Sequence, residues 1–346
     1  MKALVLEKYN SFAYKDVPDP RIGSQEVLVA VKACGICGSD VHGMDGSSGR
    51  RQPPIIMGHE AAGLVAEVGA GVQGWKPGQR VTFDSTIYCG TCWHCRRGEI
   101  NLCDNRRVLG VSCDEYRQHG AFAEYVAVPA HILYALPEGV GFPQATMVEA
   151  LSIAVHGVRR TPVELNDCAV VVGAGNIGLL VVQALKAFGC SPVIAADVDE
   201  GKLQWARKLG ADVVINSGEQ DVGREVRKYA PGGADVAVEA VGVAASLQDA
   251  IAALRKGGSL TLIGNLAPSA EFPLQSVVTR QISIYGSCAS SGEYPTCLEL
   301  IARGAVDVDT MISAAAPLAE GAAWFQRLYR GEAGLMKVVL VPPEGQ

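Results

Sequence analysis

Residues 168–185 read CAVVVGAGNIGLLVVQAL. The stretch carries no charge and approaches the length of a membrane span. Gly173, Gly175 and Gly178 at its centre argue against that. β-branched residues fill the part before them, and Leu and Ala the part after. The segment predicts a buried strand, a glycine turn and a helix. Gly173-Ala174-Gly175-Asn176-Ile177-Gly178 is G-x-G-x-x-G, a weak pattern alone, but here it follows a strand and opens a helix. Gly173 permits the tight turn, Gly175 lets a pyrophosphate approach the backbone, and Gly178 lets helix and sheet pack closely. The phosphate charge then faces the helix N-terminus. Asp197 ends the next predicted strand, where a carboxylate bonds both hydroxyls of an adenine ribose and repels a 2′-phosphate. Val198, Asp199 and Glu200 follow, with no arginine to accept that phosphate. The competing reading of Asp197 is a helix N-cap. The cofactor expected is NAD rather than NADP.

Outward from this loop, strand and helix alternate. PVIAAD, a helix from Glu200 to Leu209, ADVVIN, a further helix, and then ADVAVEAVG, GSLTLIGN and ISIYGSC complete six apolar strands. Strands joined by helical crossovers predict a doubly wound parallel sheet, an α/β fold. Residues 1–140 read differently, as short strands such as MKALVLEKY, EVLVAVKACG, GLVAEVG and RVTF, separated by turns such as Lys76-Pro77-Gly78-Gln79. FPQATMVEALSIAVHGVRR changes to helical spacing before Asn166-Asp167 breaks it. After about residue 293 the chain returns to helix and a last strand, KVVLVP, assigned to the first domain. The expected division is 1–155 with 293–346, and 156–292 as the dinucleotide-binding domain.

A length of 346 residues suits two domains, and 49% hydrophobic with 19% charged residues describes a well-buried chain. A formal charge of −6 gives no electrostatic reason to expect nucleic acid or an anionic membrane as partner. Eleven cysteines, an odd number, and no secretory signal peptide point to a reducing, cytoplasmic setting.

Four of those cysteines, Cys89, Cys92, Cys95 and Cys103, lie in YCGTCWHCRRGEINLC with the spacing C-x2-C-x2-C-x7-C. Short spacings let a tight loop converge three thiolates on one tetrahedral zinc, and the fourth closes the site. Such a zinc holds a loop and does no chemistry. The rivals are a redox pair, Cys92-Trp93-His94-Cys95, and disulfides; the first lacks a βαβ setting and the second an oxidising compartment. A second, looser set lies upstream: Cys37 in CGICGSDVH, and His59 with Glu60 in MGHEAAG. Thiolate, imidazole and carboxylate form a partial shell that leaves room for water or substrate. A lone cysteine or histidine is more often structural, and Cys34 is read as a buried strand residue.

At these residues the chain resembles the zinc-dependent medium-chain alcohol dehydrogenases, in their polyol (sorbitol, galactitol-phosphate, butanediol) and threonine dehydrogenase branch. Gly58-His59-Glu60 followed by Gly63, Gly69 and Val72 matches the family's GHE-x2-G-x5-G-x2-V, and the resemblance spans essentially all 346 residues. It implies a GroES-like, mainly-β catalytic domain carrying two zincs per chain, beside a Rossmann domain that binds NAD. The reactive zinc would take Cys37 and His59, with Glu60 and Glu149 (in MVEALS) exchanging as the carboxylate. Ala150 stands where the family commonly has proline. Glu149 also suits a helix terminus by charge alone. By resemblance Ser39 accepts the alcohol proton and His42 passes it outward, with Glu149 as a second route through water and Asp40 structural. The cofactor positions implied are Gly173, Gly175, Asn176, Ile177, Gly178, Asp197, Lys202, Ile263 and Ser287.

The activity implied is oxidation of a secondary hydroxyl of a polyol, sugar alcohol or related diol to a ketone, with hydride passing to NAD. Threonine 3-dehydrogenase is the alternative, since it shares CG-[ST]-D-x-H. The stretch IYGSCASSGEYPTC at 284–297, with small polar residues, favours the polyol branch. Zinc-free quinone or enoyl reductases lack Cys37, His59 and the cysteine quartet. A non-catalytic NAD-binding module would have no use for an open metal site. The partners expected are a small-molecule alcohol and further copies of the chain, as a homodimer or homotetramer paired through the edge strand ISIYGS.

Overall fold

Apolar residues alternate along Glu26–Gly35, EVLVAVKACG, and the strand they form carries the first sheet. In the computed structural model, which describes residues 1–343, this strand is the centre of a seven-stranded sheet. Glu60–Val68 lies antiparallel on one side of it, followed by Arg80–Phe83 and Leu133–Ala135. Along the other side run Tyr125–Pro129 and, further on, Lys337–Val341. Lys337–Val341 in turn pairs parallel with Ile312–Pro317. The register Gly35↔Glu60 and Gly35↔Val339 sets three distant segments side by side at one end of the sheet. Beneath, Phe325 packs at a tilt on Phe12 and edge-to-face on Phe122, with centroids 4.6 and 5.6 Å apart, within one apolar core.

The second sheet is parallel throughout, in the order Val213–Asn216, Val193–Asp197, Ala169–Val172, Ala234–Glu239, Leu254–Leu262, Ser283–Gly286. Numbered along the chain that order is 3-2-1-4-5-6, the doubly wound arrangement with its switch point beside Ala169–Val172. The uncharged stretch at 168–185 is that first strand, its turn and the start of helix Asn176–Ala187. No helix among the described residues is long and apolar enough to cross a membrane.

One unit comprises Met1–Glu149, Tyr294–Ala302 and the chain from Val308; the other comprises Ala150–Glu293 and Arg303–Asp307. The division falls between Glu149 and Ala150, early in helix Val148–Arg160, rather than at 155/156. The short stretch Arg303–Asp307 joins the second unit because Gln183 exchanges hydrogen bonds with Asp307. The last residues of the expected 293–346 segment, 344–346, lie outside the described residues.

Candidate active site

Cys37 sits where the central strand of the first sheet ends. Its backbone carbonyl accepts from the Asp40 and Val41 amides, so the cysteine caps the short helix Gly38–Gly43. His59 and Glu60 arrive from the neighbouring strand through Gly58, whose φ is +94°. A Cβ there would stand 2.8 Å from Cys34 Sγ and 2.9 Å from Phe122, so glycine alone makes the approach. As a result Cys37 Sγ, a His59 ring nitrogen and a Glu60 carboxylate oxygen lie within 4.8 Å of one another.

His59 and Glu60 are each backed by a side chain to which sequence reasoning gave no part in the site. Behind His59, Nδ1 stands 3.4 Å from Asp40 Oδ2, an ion-pair distance rather than a well-formed hydrogen bond. Asp40 Oδ1 accepts from Arg51 Nε at 3.0 Å and Nη2 at 2.9 Å. Burial alone would raise the Asp40 carboxyl, but the His59 imidazole and the Arg51 guanidinium hold it down at about 2. Asp40, read from sequence as merely structural, is thus a fixed anion behind the imidazole. Both Glu60 oxygens accept from Lys337 Nζ, at 2.8 and 2.6 Å, in a pair almost wholly buried. Lys337 also donates to the Ile36 carbonyl at 3.2 Å. Burial works against its ammonium, but the Glu60 carboxylate and Cys37 outweigh it and keep its pKa raised.

Glu149 does not join the three-donor set. Its Oε1 accepts from Ser85 Oγ at 3.0 Å. Burial raises its carboxyl and the Glu60 charge adds to that, against the His59 imidazole and the Ser85 hydroxyl. Ser39 Oγ donates to Cys37 Sγ at 3.3 Å and accepts from Arg51 Nη2 at 3.3 Å. His42 is exposed one turn further along the same helix, three residues on, where it shares a face with Ser39.

The cysteine quartet also converges: the Sγ atoms of Cys89, Cys92, Cys95 and Cys103 lie within 4.8 Å of one another. Cys103 and Cys89 sulfurs are 3.5 Å apart, far beyond a disulfide bond, and all eleven cysteines are free. The Cys92 amide donates to Cys89 Sγ at 3.4 Å and the Cys95 amide to Cys92 Sγ at 3.5 Å. Hydrogen bonds from Thr91, backbone then side chain, and from Asn105 pull the Cys89 thiol down to about 5. Backbone hydrogen bonds lower Cys92 as well, whereas burial and the neighbouring Cys92 and Cys103 thiols push Cys95 up to about 12; it is the convergence of the four sulfurs that fits a divalent metal. The upstream set fits one too. Burial disfavours charge on His59, yet Asp40 and Cys37 raise its pKa well above the ordinary value. Positive charge is therefore favoured where these donors meet, and a metal supplies it.

In the second unit the cofactor positions gather at the carboxyl ends of the strands. Gly173 has φ +101°, and a Cβ on Gly178 would lie 1.7 Å from the Gly173 oxygen. Above Gly175, which caps helix Asn176–Ala187, nothing stands within 4 Å of the Cβ direction. Ile177 is the second residue of that helix. Asp197 Oδ2 accepts from the Ala174 amide at 2.7 Å and Oδ1 from the Asp199 amide at 2.9 Å. The helix N-cap is Asp199, which accepts from the Lys202 amide at 3.1 Å, so the capping explanation of Asp197 does not hold. The Lys202 side chain is exposed. Ile263 and Ser287 meet against helix Val148–Arg160: a Cβ on Gly157 would stand 2.4 Å from Ile263 Cδ1 and 3.7 Å from Ser287 Oγ. Asn176 Oδ1 and Ser287 Oγ are buried without a partner, as polar atoms are that await a ligand.

Similarity to known proteins points the same way. The family model of the alcohol dehydrogenase GroES-like domain matches residues 23–138, and that of the zinc-binding dehydrogenase domain matches 176–303. A sorbitol dehydrogenase of Bacillus subtilis (strain 168) is 33% identical over 348 residues, covering 99% of this chain and 97% of its own. Among solved structures, an alcohol dehydrogenase from Thermus sp. ATN1 has a TM-score of 0.93 at 33% identity, over 99% of this chain and 100% of its own. A chain from Sinorhizobium meliloti 1021, described as a zinc-binding dehydrogenase bound to NADP, has a TM-score of 0.89 at 31% identity, over 99% of both. Two domain models in the expected order, and a third of all positions shared along nearly the full length, exclude a coincidence of motifs: the chain belongs to the zinc-dependent medium-chain alcohol dehydrogenases, NAD(P)-dependent oxidoreductases.

Proposed function

We propose that this dehydrogenase oxidises a secondary hydroxyl of a polyol, sugar alcohol or related diol to a ketone, with NAD as hydride acceptor. The observation that carries the reading is the Cys37–His59–Glu60 set with Asp40 fixed behind its imidazole. The polyol class comes from the sorbitol dehydrogenase relative. Cys37 and His59 would hold the reactive zinc, with Glu60 or Glu149 as the carboxylate, and Cys89, Cys92, Cys95 and Cys103 a structural one, two per chain. When bound, the reactive zinc supplies a Lewis acid for the substrate oxygen. Asp40 keeps the His59 ring oriented, as a carboxylate behind a ligating histidine does. Ser39, beside the Cys37 sulfur, receives the hydroxyl proton, and His42 on the exposed face of the same turn delivers it outward. Glu149 offers the second route.

Toward the dinucleotide, Gly175 leaves room for the pyrophosphate and the amides opening helix Asn176–Ala187 meet its charge. Each Asp197 oxygen accepts one backbone amide and keeps lone pairs for the ribose hydroxyls. That carboxylate supports NAD over NADP, although a similar structure binds NADP. Gly173 and Gly178 hold the turn, and Asn176, Ile177, Ile263, Ser287 and Lys202 would help to hold the dinucleotide. The first unit is then the catalytic domain with both zincs and the second the NAD domain. Strand Ser283–Gly286, at the edge of its sheet with Ile284 exposed, would pair across a two-fold in a homodimer or homotetramer. Eleven free cysteines accord with the cytoplasm.

NAD and NADP reduction measured with a panel of polyols, diols, simple alcohols and L-threonine tests the reading. The highest kcat/KM is expected for a polyol or diol with NAD. L-threonine as best substrate would select the threonine 3-dehydrogenase reading, and NAD binding without turnover of any alcohol would select a non-catalytic module.

A further inference from the structure

Asp40, Glu60 and Glu293 are buried carboxylates, and each faces a cation: Arg51, Lys337 and Arg159. Glu239 is 1% exposed, and among the described residues it enters no ion pair. Its Oε1 accepts from the Val241 amide at 2.8 Å, the Gly242 amide at 2.7 Å and the Ser246 hydroxyl at 2.7 Å, all of them neutral donors. Those bonds fix the charge in place without cancelling it. A buried charge with no counter-ion is costly, so the fold alone gives a poor account of this one.

Glu239 ends strand Ala234–Glu239, the fourth of the parallel sheet, in register between Val172 of the first strand and Leu262 of the fifth. That is the switch point, beside the glycine turn: a Cβ on Gly173 would stand 2.5 Å from Val241 Cγ2. In this strand order the first three strands carry the adenosine half of a dinucleotide, as Asp197 at the end of the second marks, and the last three the nicotinamide half. Main-chain bonds tie the carboxyl ends of those last three together. The Glu239 carbonyl accepts from the Ile263 amide at 2.9 Å and the Gly264 amide at 3.1 Å, and the Leu262 carbonyl from the Ser287 amide at 2.9 Å. Ser287 Oγ, just past the sixth strand, is buried without a protein partner, a second sign that this end of the sheet awaits a ligand.

We propose that Glu239 sets the balance between the two redox forms of the cofactor: its uncancelled charge at the nicotinamide end favours NAD⁺, whose ring is cationic, over NADH, whose ring is neutral. The proposal rests on the reading of this unit as an NAD site. A fixed negative charge there holds the oxidised form more firmly and lets the reduced form go. The glycine loop and Asp197 make no such distinction, since the pyrophosphate and the adenine ribose are the same in both forms. The rival account is that the carboxylate serves only helix Ala244–Ala253, whose N-terminus lies just beyond and whose dipole favours an anion. That role treats the two forms alike.

The test measures dissociation constants for NAD⁺ and NADH by calorimetry, in the full-length parent and in Glu239→Gln, Glu239→Asp and Asp235→Asn. Glu239→Gln keeps an acceptor oxygen for the loop and drops the charge. The ratio of the NADH constant to the NAD⁺ constant is expected to fall by roughly three- to tenfold, the scale of a unit charge acting at an effective dielectric of about 20. Glu239→Asp keeps the charge and should keep the ratio, even where the shorter side chain loosens the loop. Asp235 lies near the amino end of the same strand, so Asp235→Asn removes a charge far from that site and should leave the ratio as in the parent. Equal weakening of both forms in Glu239→Gln makes the carboxylate a prop for the helix and overturns the proposal. A ratio that moves in Glu239→Asp overturns it as well, and that arm stands even if the glutamine variant does not fold, which circular dichroism reports. The same shift in Asp235→Asn shows a general effect of net charge and also overturns it. A parent that binds neither form overturns the NAD reading, and this proposal falls with it.

Discussion

A single thiolate separates metal chemistry from scaffold at Cys37. It lies two residues beyond the central strand, caps a helix and accepts a hydrogen bond from the Ser39 hydroxyl on its sulfur. Cys37→Ser is expected to abolish turnover and lower the metal count from two to one per chain while the far-ultraviolet spectrum stays as in the parent. Elemental analysis beside a rate assay decides it, and an active one-metal variant refutes the assignment. Asp197 allows a similar separation. Its backbone partners, the Ala174 and Asp199 amides, fix the carboxylate without using up its lone pairs. Asp197→Ala should raise the dissociation constant for NAD by about tenfold or more, since charge-assisted bonds contribute roughly 1.5–3 kcal/mol each. It should also erase most of the preference over NADP; titration with both dinucleotides measures the two effects, and an undiminished preference removes Asp197 from cofactor choice. These residues were legible because each lies in a local motif. Asp40, Arg51, Ser85 and Lys337 were not, because their roles come from approach in space. Lys337 opens an apolar strand and looks like its polar end until the register sets it beside Glu60, 277 residues away.

At the scale of elements, the proposed structural zinc would act on the four-cysteine loop. Its helix, Trp93–Arg96, spans one turn and buries no residue of its own, so little else holds the loop. Cys92→Ser should lower the melting temperature by several degrees and leave kcat near the parent value below the transition, because structural zinc contributes folding energy directly. Differential scanning calorimetry with and without chelator checks this. A second element-level device ties the segment before Tyr294 to helix Val148–Arg160. Glu293 Oε1 accepts from His156 Nδ1 at 3.0 Å and Arg159 Nη1 at 3.0 Å, and Oε2 accepts from the Ser291 amide. Burial alone would raise the Glu293 carboxyl, but His156, the Ser291 amide and Arg159 outweigh it and lower its pKa. A carboxyl lowered on folding contributes stability that is complete above its unfolded pKa of about 4.3 and is lost as pH falls through the lower folded value. Glu293→Gln should therefore flatten the acid side of a melting-temperature profile below about pH 5. A profile parallel to that of the parent would show that the pair adds nothing. The helices and strands of the NAD domain could be read in order because glycine turns and β-branched runs are local signals. Ile312–Pro317 could not, since its place beside Lys337–Val341 is set only by the sheet.

Over the whole molecule, the two-part architecture and a doubly wound parallel sheet of six strands were legible from the switch in sequence grammar near residue 168, whereas the order 3-2-1-4-5-6 came from the structure. The finer division was not: it falls within a continuous helix, and periodicity carries no mark of which sheet each helical turn packs upon. Assembly belongs to this scale as well. Ser283–Gly286 leaves one edge unpaired among the described residues; on the proposed two-fold pairing, the parent should scatter as a dimer or tetramer and Ile284→Glu as a monomer. An unchanged mass would move the interface elsewhere. The Glu60–Lys337 pair has a further consequence, for biosynthesis. As the chain leaves the ribosome, Glu60 and the central strand Glu26–Gly35 emerge early, whereas Lys337–Val341, which supplies both a counter-charge and a neighbouring strand, is made after the whole NAD domain. A lone carboxylate resists burial. The Glu60–Lys337 pair, and the strand neighbour beside Gly35, can therefore close only after the whole second unit has been synthesised.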